Sequence, residues 1–226
     1  MADPTSIARF ADIKRFYTLL DRLNQQLGGA RTLAEVGKFH DWPERGVYFF
    51  FEPSEVRRDS GNGLRVVRVG THALGRGSLS TLRQRLGQHR GSLRGGGNHR
   101  GSIFRLLVGQ ALLTRGGLPD CASWGVKGEA THAARQLGID RKMLAEAEAP
   151  IERAVSDYLS TMPFLWIAVD DQSGPDSLRG FIERNTIGLL SNYGRTPLDP
   201  PSLGWLGRAF DRAGTGFRTL ESAPRR

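Results

Sequence analysis

The sequence predicts an α+β fold: a small three-stranded, mainly antiparallel sheet flanked by helices, with a helical extension at the N-terminus. Three short apolar runs have the length of strands, the segments around them repeat apolar residues at helical steps, and glycine-rich connections separate them. The chain of 226 residues, 38% of them hydrophobic, is long enough for one domain with a packed core. We expect the extension to span residues 1–40, the sheet domain 41–200 and a basic tail 201–226.

The first element is an amphipathic helix over residues 5–27. Gly28 and Gly29 end it, because glycine readily adopts the left-handed conformation of a helix C-cap. The stripe fits either the core of the domain or a second subunit, and the sequence leaves both alternatives open. Its apolar residues recur mostly at steps of three and four and form one stripe: Ile7, Phe10, Ile13, Phe16, Leu19, Leu20, Leu23 and Leu27.

Two strands joined by a hairpin follow. Residues 46–51 read Gly-Val-Tyr-Phe-Phe-Phe and have the apolar continuity of a buried strand. Residues 64–70 form the returning strand, and the polar connection over 53–63 contains two glycines, as hairpin loops often do. The pattern therefore predicts an antiparallel pair.

A short helix and a basic loop come next. Ser78 or Ser80 can cap the helix, since a serine hydroxyl accepts a hydrogen bond from a free N–H of the first turn. The loop over 91–101 is rich in glycine and arginine, and we expect it to be mobile. Ser102 begins a further helix.

The last third of the chain supplies the third strand between two helices. Residues 140–161 have a helical pattern that is interrupted, or begun again, at Pro150. The apolar run 164–169 predicts the strand, and residues 177–190 predict a closing helix.

The charge of the chain indicates the class of its partner. Lys and Arg number 32 against 23 Asp and Glu, which gives a formal net charge of +9. Such a surplus suits a polyanion, nucleic acid first of all. An excess of arginine over lysine is also what a GC-rich coding bias produces, so the position of the charges matters more than their sum.

The remaining composition favours a cytoplasmic protein without a membrane partner. No run approaches the roughly 18 apolar residues of a membrane span, and the first ten residues lack the apolar core of a signal peptide. A single cysteine, Cys121, excludes an intramolecular disulfide and a multi-cysteine zinc site.

Four short segments carry a resemblance to a known family. Gly46-Val47-Tyr48 and Arg68-Val69-Gly70, on consecutive strands, resemble the signature of the GIY-YIG nucleases. Arg85 and His89 on the next helix resemble the arginine and histidine of that family's first core helix. Glu183 on the late helix resembles its metal-binding glutamate. Each segment alone is weak, but their order and their elements agree over about residues 45–195.

The resemblance implies a role for each side chain. Tyr48 contacts or deprotonates the attacking water, for which a phenol with a pKa of about 10 needs a nearby cation. Arg85 faces the charge that develops on the phosphate, and His89 holds the phosphate or shuttles a proton. Glu183 binds a divalent cation, Mg²⁺ or another such as Mn²⁺, which neutralises the leaving oxygen.

The chain departs from the family pattern at two places. Arg68 stands where the family has a tyrosine, so it can bind phosphate but cannot supply a phenol; His72 or another neighbour then takes that role. The asparagine that often follows the glutamate is matched only approximately by Asn192, and Asn185 is also available.

Basic and amide side chains near the proposed active site predict a nucleic-acid-binding surface. Glycines let the backbone approach a phosphate chain closely, and arginine and asparagine can contact base edges in the major groove. The alternative is a solvated turn. The predicted contacts are Arg83, Arg90, Arg94, Asn98, His99, Arg100 and Arg105.

The sequence therefore predicts a metal-dependent endonuclease that hydrolyses DNA phosphodiester bonds, with restriction or defence as one biological setting. It does not choose between DNA and RNA, and a homodimer is the simplest way for single active sites to cut both strands. One alternative is a nucleic-acid-binding protein whose catalysis is impaired, which Arg68 favours. Another is an interaction protein that uses the N-terminal helix.

Overall fold

The structure is a computed structural model that describes residues 4–39 and 41–208. The described chain divides into two compact units, the first made of residues 4–39, 41–85 and 162–202 and the second of 86–161 and 203–208. Most of the predicted tail, residues 209–226, lies outside the described residues.

The first unit contains an antiparallel sheet with helices packed against it. Its strands lie in the order β1-β4-β2-β3. None of the described helices combines the length and apolar character that a membrane crossing needs. The elements of this unit are α1 (Pro4–Gln26), β1 (Arg31–Thr32), β2 (Gly46–Val56), β3 (Leu64–Gly70), β4 (Pro163–Ala168) and α6 (Leu178–Leu190).

The second unit is helical. Helix α2 begins in the first unit and ends in the second, so it belongs to both. The helices are α2 (Leu82–Arg90), α3 (Ile103–Arg115), α4 (Ala130–Leu137) and α5 (Arg141–Ser160).

The α+β class and the antiparallel sheet are confirmed, but the sheet has four strands instead of the predicted three. The additional strand, β1, pairs only Arg31 and Thr32 with Phe164 and Pro163 of β4. Two residues are too few to show an alternating pattern, so this strand leaves no signal in the sequence.

Helix α1 packs against the sheet, which settles where its apolar stripe lies. Ile13, Tyr17 and Leu20 are buried in one cluster with side chains of β2, β3 and β4. The Tyr17 hydroxyl also accepts a hydrogen bond from the Val66 N–H of β3 at 3.2 Å. Burial is the main reason why the pKa of Tyr17 rises to about 12.

One strand is longer, and one helix less interrupted, than the sequence predicts. Strand β2 continues to Val56, with irregular pairing to β3 after Phe50. Helix α5 is continuous through Pro150. Tertiary packing of Ile151 and Val155, both fully buried, outweighs the local cost of the proline.

The start of α2 also differs from the prediction. The helix begins at Leu82, because Thr81 and Gln84 form reciprocal hydrogen bonds there. Neither Ser78 nor Ser80 is therefore its cap.

A network of buried charges holds the second unit together. Glu152 of α5 accepts hydrogen bonds from Arg105 Nε at 2.9 Å and from both the backbone N–H and the ring of His99. The Arg105 side chain is fully buried. Burial raises the pKa of Glu152, but the hydrogen bond from His99 and the charge of Arg105 lower it by more, so its pKa lies below the ordinary value.

Glu152→Gln should destabilise the chain strongly, because it leaves the Arg105 guanidinium buried without its counter-charge. We expect a loss of about 3–5 kcal/mol in the free energy of unfolding, measured by urea denaturation with circular dichroism. Glu146→Gln is the matched control on the same helix, since Glu146 is exposed and pairs only loosely with Lys142. The control should change the free energy by less than about 0.5 kcal/mol. Equal effects of the two substitutions would contradict a stabilising role of the network.

Candidate active site

The two glycines of the strand motifs allow close approaches in the first unit. A Cβ on Gly46 would lie 2.6 Å from the carbonyl oxygen of Ile167 on β4. A Cβ on Gly70 would lie 2.6 Å from Cε2 of Tyr48, whose phenol crosses the face of that glycine. Tyr48 is fully buried and pairs with Gly70 in the β2–β3 ladder. Gly70 therefore leaves room for the Tyr48 ring at the end of β3, and Gly46 leaves room for the close pairing of β2 with β4.

Helix α6 brings Glu183 to the same end of β3. The Ser177 hydroxyl caps the helix by accepting from the Gly180 N–H. Further along the helix, the Glu183 carboxylate accepts a hydrogen bond from the backbone N–H of Thr71, the residue that follows Gly70. The phenol and the carboxylate thus flank a single turn of backbone.

Arginines act electrostatically on this carboxylate. Burial raises the pKa of Glu183, while Arg68, the Thr71 N–H, Arg85 and Arg184 lower it, Arg68 having the largest effect among the charges. The cost of burial is greater than the sum of these favourable interactions, so the pKa of Glu183 lies above its ordinary value. A group of this kind, desolvated and only partly compensated, is typical of functional sites.

A second residue of α6, one turn before Glu183, fixes the same turn of backbone. Arg179 is fully buried, forms an ion pair with Asp171 and donates from Nη1 to the carbonyl of His72 at 2.5 Å. The next residue, Ala73, has a φ of 53°, a conformation that costs energy for any residue except glycine. The turn after β3 is therefore strained and is held by contacts on both sides.

His72 itself is buried in this turn. Its Nδ1 lies 2.9 Å from the carbonyl oxygen of Ser80, and since a carbonyl can only accept, Nδ1 carries the proton. Burial, together with the charges of Arg179, Arg85 and Arg45, lowers the pKa of His72 to about 4 against a raising effect of the Ser80 hydrogen bond. His72 is therefore neutral near pH 7, with a lone pair on Nε2.

The structure brings four of the sequence-predicted catalytic residues to one place. Tyr48 lies across Gly70, and Arg68 and Arg85 both act on Glu183, which binds the neighbouring Thr71. His89 follows Arg85 by one turn of α2 but belongs to the second unit, where its buried ring is hydrogen-bonded to Ser102 Oγ at 2.7 Å.

Asn192 lies after the end of α6 and has structural partners. Its Oδ1 accepts from Arg9 Nη2 and from the Leu198 N–H, both at 2.9 Å, and its Nδ2 donates to the Leu198 carbonyl. These contacts tie the segment after α6 to α1. Asn185 is exposed and donates to the Phe181 carbonyl on its own helix.

The predicted nucleic-acid contacts fall into two groups. Arg83, Arg94 and Asn98 are exposed, and Arg90 is partly exposed. The other three were predicted to contact nucleic acid from the loop, but they lie in the buried network of the second unit. Arg105 and His99 bind Glu152, His99 also stacks on Trp124 with ring centroids 3.9 Å apart, and Arg100 forms two hydrogen bonds of 2.7 Å to Glu148.

These contacts correct the expectation of a mobile loop. The segment 91–101 is fixed at its end by Glu152 and near its middle by Ser156, whose hydroxyl donates to the Gly96 carbonyl at 2.9 Å. Arg105 and His99 are buried against Glu152 and Arg100 is paired with Glu148, so these three side chains are not part of an exposed basic surface.

A divalent cation has one candidate ligand in this site. Among the described residues, no group of three or more His, Cys, Asp or Glu side chains gathers in one place. The Glu183 carboxylate fits Mg²⁺ or Mn²⁺ as a single oxygen donor, because Mg²⁺ usually keeps several waters and shares substrate phosphates. Its uncompensated burial is consistent with a site that gains from an additional positive charge.

Chemically, the arrangement combines an anion-binding part with a proton acceptor. Arg68 and Arg85 can face phosphate oxygens, and Glu183 can hold a cation. Tyr48 lies against Gly70, the residue before the Thr71 whose N–H binds Glu183.

Two further residues of the site, Thr71 and Arg179, belong to no sequence motif; they position Glu183 and His72. The sequence signal for Thr71 is its position directly after the second glycine motif. The signal for Arg179 is its position four residues before Glu183.

Comparison with known proteins gives a family match. A family model described as a GIY-YIG domain matches residues 7–215, which is most of the chain. The matched range contains most of α1 as well as the elements that carry all four motif segments. No curated protein and no solved structure gives a match.

Gly70→Ala should displace the Tyr48 ring, because the added Cβ would lie far inside the contact distance of the phenol. We expect a loss of about 1–3 kcal/mol in the free energy of unfolding. In the Tyr48→Ala background the same substitution should cost clearly less, since the clash is gone. Gly75→Ala is the control, as nothing lies within 4 Å of the point that its Cβ would occupy. Additive effects of the Gly70 and Tyr48 substitutions would contradict the close contact.

Glu183→Gln should stabilise the chain at neutral pH. The folded state holds the Glu183 proton more tightly than the unfolded state, whose carboxyl has the ordinary value near 4.5. Stability from this group therefore falls as the pH rises from the unfolded to the raised folded pKa. We expect the free-energy gain of Glu183→Gln to be present above that window and to vanish below it, measured by urea denaturation at several pH values. Glu146→Gln should show no such trend, and a gain independent of pH would contradict the raised pKa.

Proposed function

Because the chain belongs to the GIY-YIG family, whose members are typically endonucleases, we propose that it is a metal-dependent endonuclease that hydrolyses DNA phosphodiester bonds. The observation that carries the proposal is the convergence of a phenol, two guanidinium groups and a carboxylate on the turn after β3. These groups come from β2, β3, α2 and α6, which are distant along the chain.

The arginines supply the electrostatic part of the proposed reaction. Hydrolysis places additional negative charge on the phosphate oxygens as water attacks phosphorus and the leaving oxygen departs. Arg85 and Arg68 face that charge, and a guanidinium can donate two parallel hydrogen bonds to phosphate oxygens. Water attacks directly in this proposal, without a covalent enzyme intermediate.

Tyr48 contacts the attacking water. Its phenol is buried and fixed against Gly70, so the orientation of its ring costs no further entropy when substrate binds. His89 is proposed to hold a phosphate or to shuttle a proton, and Asn192 to support the helix of Glu183.

Glu183 would hold Mg²⁺ or another divalent cation such as Mn²⁺. When bound, such a cation neutralises charge on the leaving oxygen. The carboxylate must be ionised to bind it, so the raised pKa of Glu183 makes binding depend on pH.

Exposed arginines and one exposed asparagine are proposed to bind the DNA backbone. The candidates are the residues whose side chains reach the surface: Arg83, Arg90, Arg94 and Asn98. The high net charge supports a polyanionic substrate, and RNA is the other such substrate. In the cell, we propose a cytoplasmic role in restriction or defence, with a homodimer that cuts both strands.

The alternative is a nucleic-acid-binding protein that has lost catalysis. Arg68 favours it, because this position would carry a second phenol in the family pattern. On that alternative the guanidinium groups bind phosphate, but no group activates water.

A plasmid-nicking assay with Mg²⁺ tests the proposal. The wild type should relax supercoiled plasmid, and EDTA should stop it. Glu183→Ala and Arg85→Ala should each lower the rate at least about 10²-fold, since each removes stabilisation of transition-state charge. Glu146→Ala and Arg22→Ala are matched controls, as both side chains are exposed and lie outside the site. They should retain the wild-type rate.

Gel-shift titration in parallel separates the alternatives. Wild-type protein that binds DNA or RNA with strong salt dependence but never nicks either would establish the binding alternative. Protein that shows no salt-sensitive affinity at all would contradict both and favour an interaction protein.

A further inference from the structure

We propose that His72 is a further catalytic residue, whose Nε2 accepts a hydrogen bond from the attacking water in place of the phenol that is missing at position 68. The inference rests on the proposed nuclease function. Three features carry it: a lone pair without a partner, a turn that several contacts hold in a strained conformation, and the charge of Arg85, which acts on both His72 and Glu183.

The first feature is the Nε2 atom. His72 is only 5% exposed, and its Nε2 has no hydrogen-bond partner among the residues that the structure describes. Nδ1 donates to the Ser80 carbonyl, so this bond selects the tautomer in which Nε2 is an acceptor. A buried acceptor without a donor is unfavourable, and such groups persist where function needs them.

The second feature is the number of contacts that hold the turn. Glu183 accepts from the Thr71 N–H and Arg179 donates to the His72 carbonyl, so α6 binds both residues. The Thr71 hydroxyl donates to the Gly46 carbonyl at 2.8 Å. The residue after His72 keeps a left-handed backbone. Strain that persists because its surroundings impose it is typical of active sites.

The third feature is the position of the ring relative to the proposed phosphate-binding groups. The charge of Arg85 acts on His72 and on Glu183 alike. The burial and the surrounding arginines that lower the pKa of His72 to about 4 also keep its lone pair available at neutral pH. Arg68 cannot accept a hydrogen bond, so the site needs a different acceptor near the water. Hydrogen bonds of this kind often close only when the substrate is bound.

Two substitutions separate catalysis from support of the turn. In His72→Asn the amide nitrogen can still donate to the Ser80 carbonyl, but no acceptor remains at the position of Nε2. In His72→Gln the amide oxygen can occupy the position of Nε2, while the bond to Ser80 is lost. A structural role predicts that Asn is tolerated and Gln is not. A catalytic role predicts the reverse.

We expect His72→Asn to lower the single-turnover nicking rate about 10²–10³-fold at an unchanged Kd for DNA. His72→Gln should stay within about tenfold of the wild type, because its oxygen replaces the acceptor. His132→Asn, at an exposed histidine of α4, is the control and should leave the rate unchanged. Circular dichroism melting should confirm that each variant is folded.

The outcomes of this experiment are distinguishable. An active wild type with a His72→Asn variant of equal rate overturns the role of His72 and leaves the proposed function intact. A His72→Gln variant that is slower than His72→Asn overturns it as well, in favour of support for the turn. A wild type that nicks neither DNA nor RNA overturns the proposed function and the role of His72 together.

Discussion

Helix α6 holds the turn after β3 in place, and the candidate site depends on this constraint. Glu183 accepts the Thr71 N–H and Arg179 donates to the His72 carbonyl, so one helix face fixes two consecutive residues. That turn follows the glycine against which the Tyr48 phenol lies. The carboxylate, the phenol and the imidazole come from separate elements of the chain. Without these contacts of α6, nothing would fix their positions relative to one another.

Glu152 and Glu183 both feel burial and nearby arginines, but their pKa values shift in opposite directions. Glu152 is buried with an arginine and a histidine that donate directly to its oxygens, so favourable interactions exceed the cost of burial and its pKa is lowered. Glu183 is also near arginines, but burial exceeds their effect and its pKa is raised. The first arrangement is complete and stabilises the fold. The second is incomplete in the free chain, which is what a site prepared for a cation and a phosphate requires.

The sequence predicted most of the sheet and four of the converging residues, because both depend on local patterns. Apolar runs identify β2, β3 and β4, and the paired glycine motifs point to Tyr48 and Arg68. It could not predict β1, which is too short, or the burial of Arg105 and His99. Those two look like surface charges, since their partner Glu152 is about fifty residues away and only the tertiary fold reveals it.

Arg68 stands where the family pattern has a tyrosine, and its charge affects both Glu183 and the binding of phosphate. Among the charges that act on Glu183, that of Arg68 is the strongest, and it favours the ionised carboxylate that a cation needs. The same guanidinium can also bind a phosphate oxygen, which no neutral phenol does as strongly. The exchange therefore strengthens anion binding and the ionisation of Glu183 while it removes a hydrogen-bond acceptor. A chain that keeps catalysis after such an exchange must supply a hydrogen-bond acceptor from another residue. His72 Nε2, in the buried turn after Gly70, is an acceptor without a hydrogen-bond partner among the described residues.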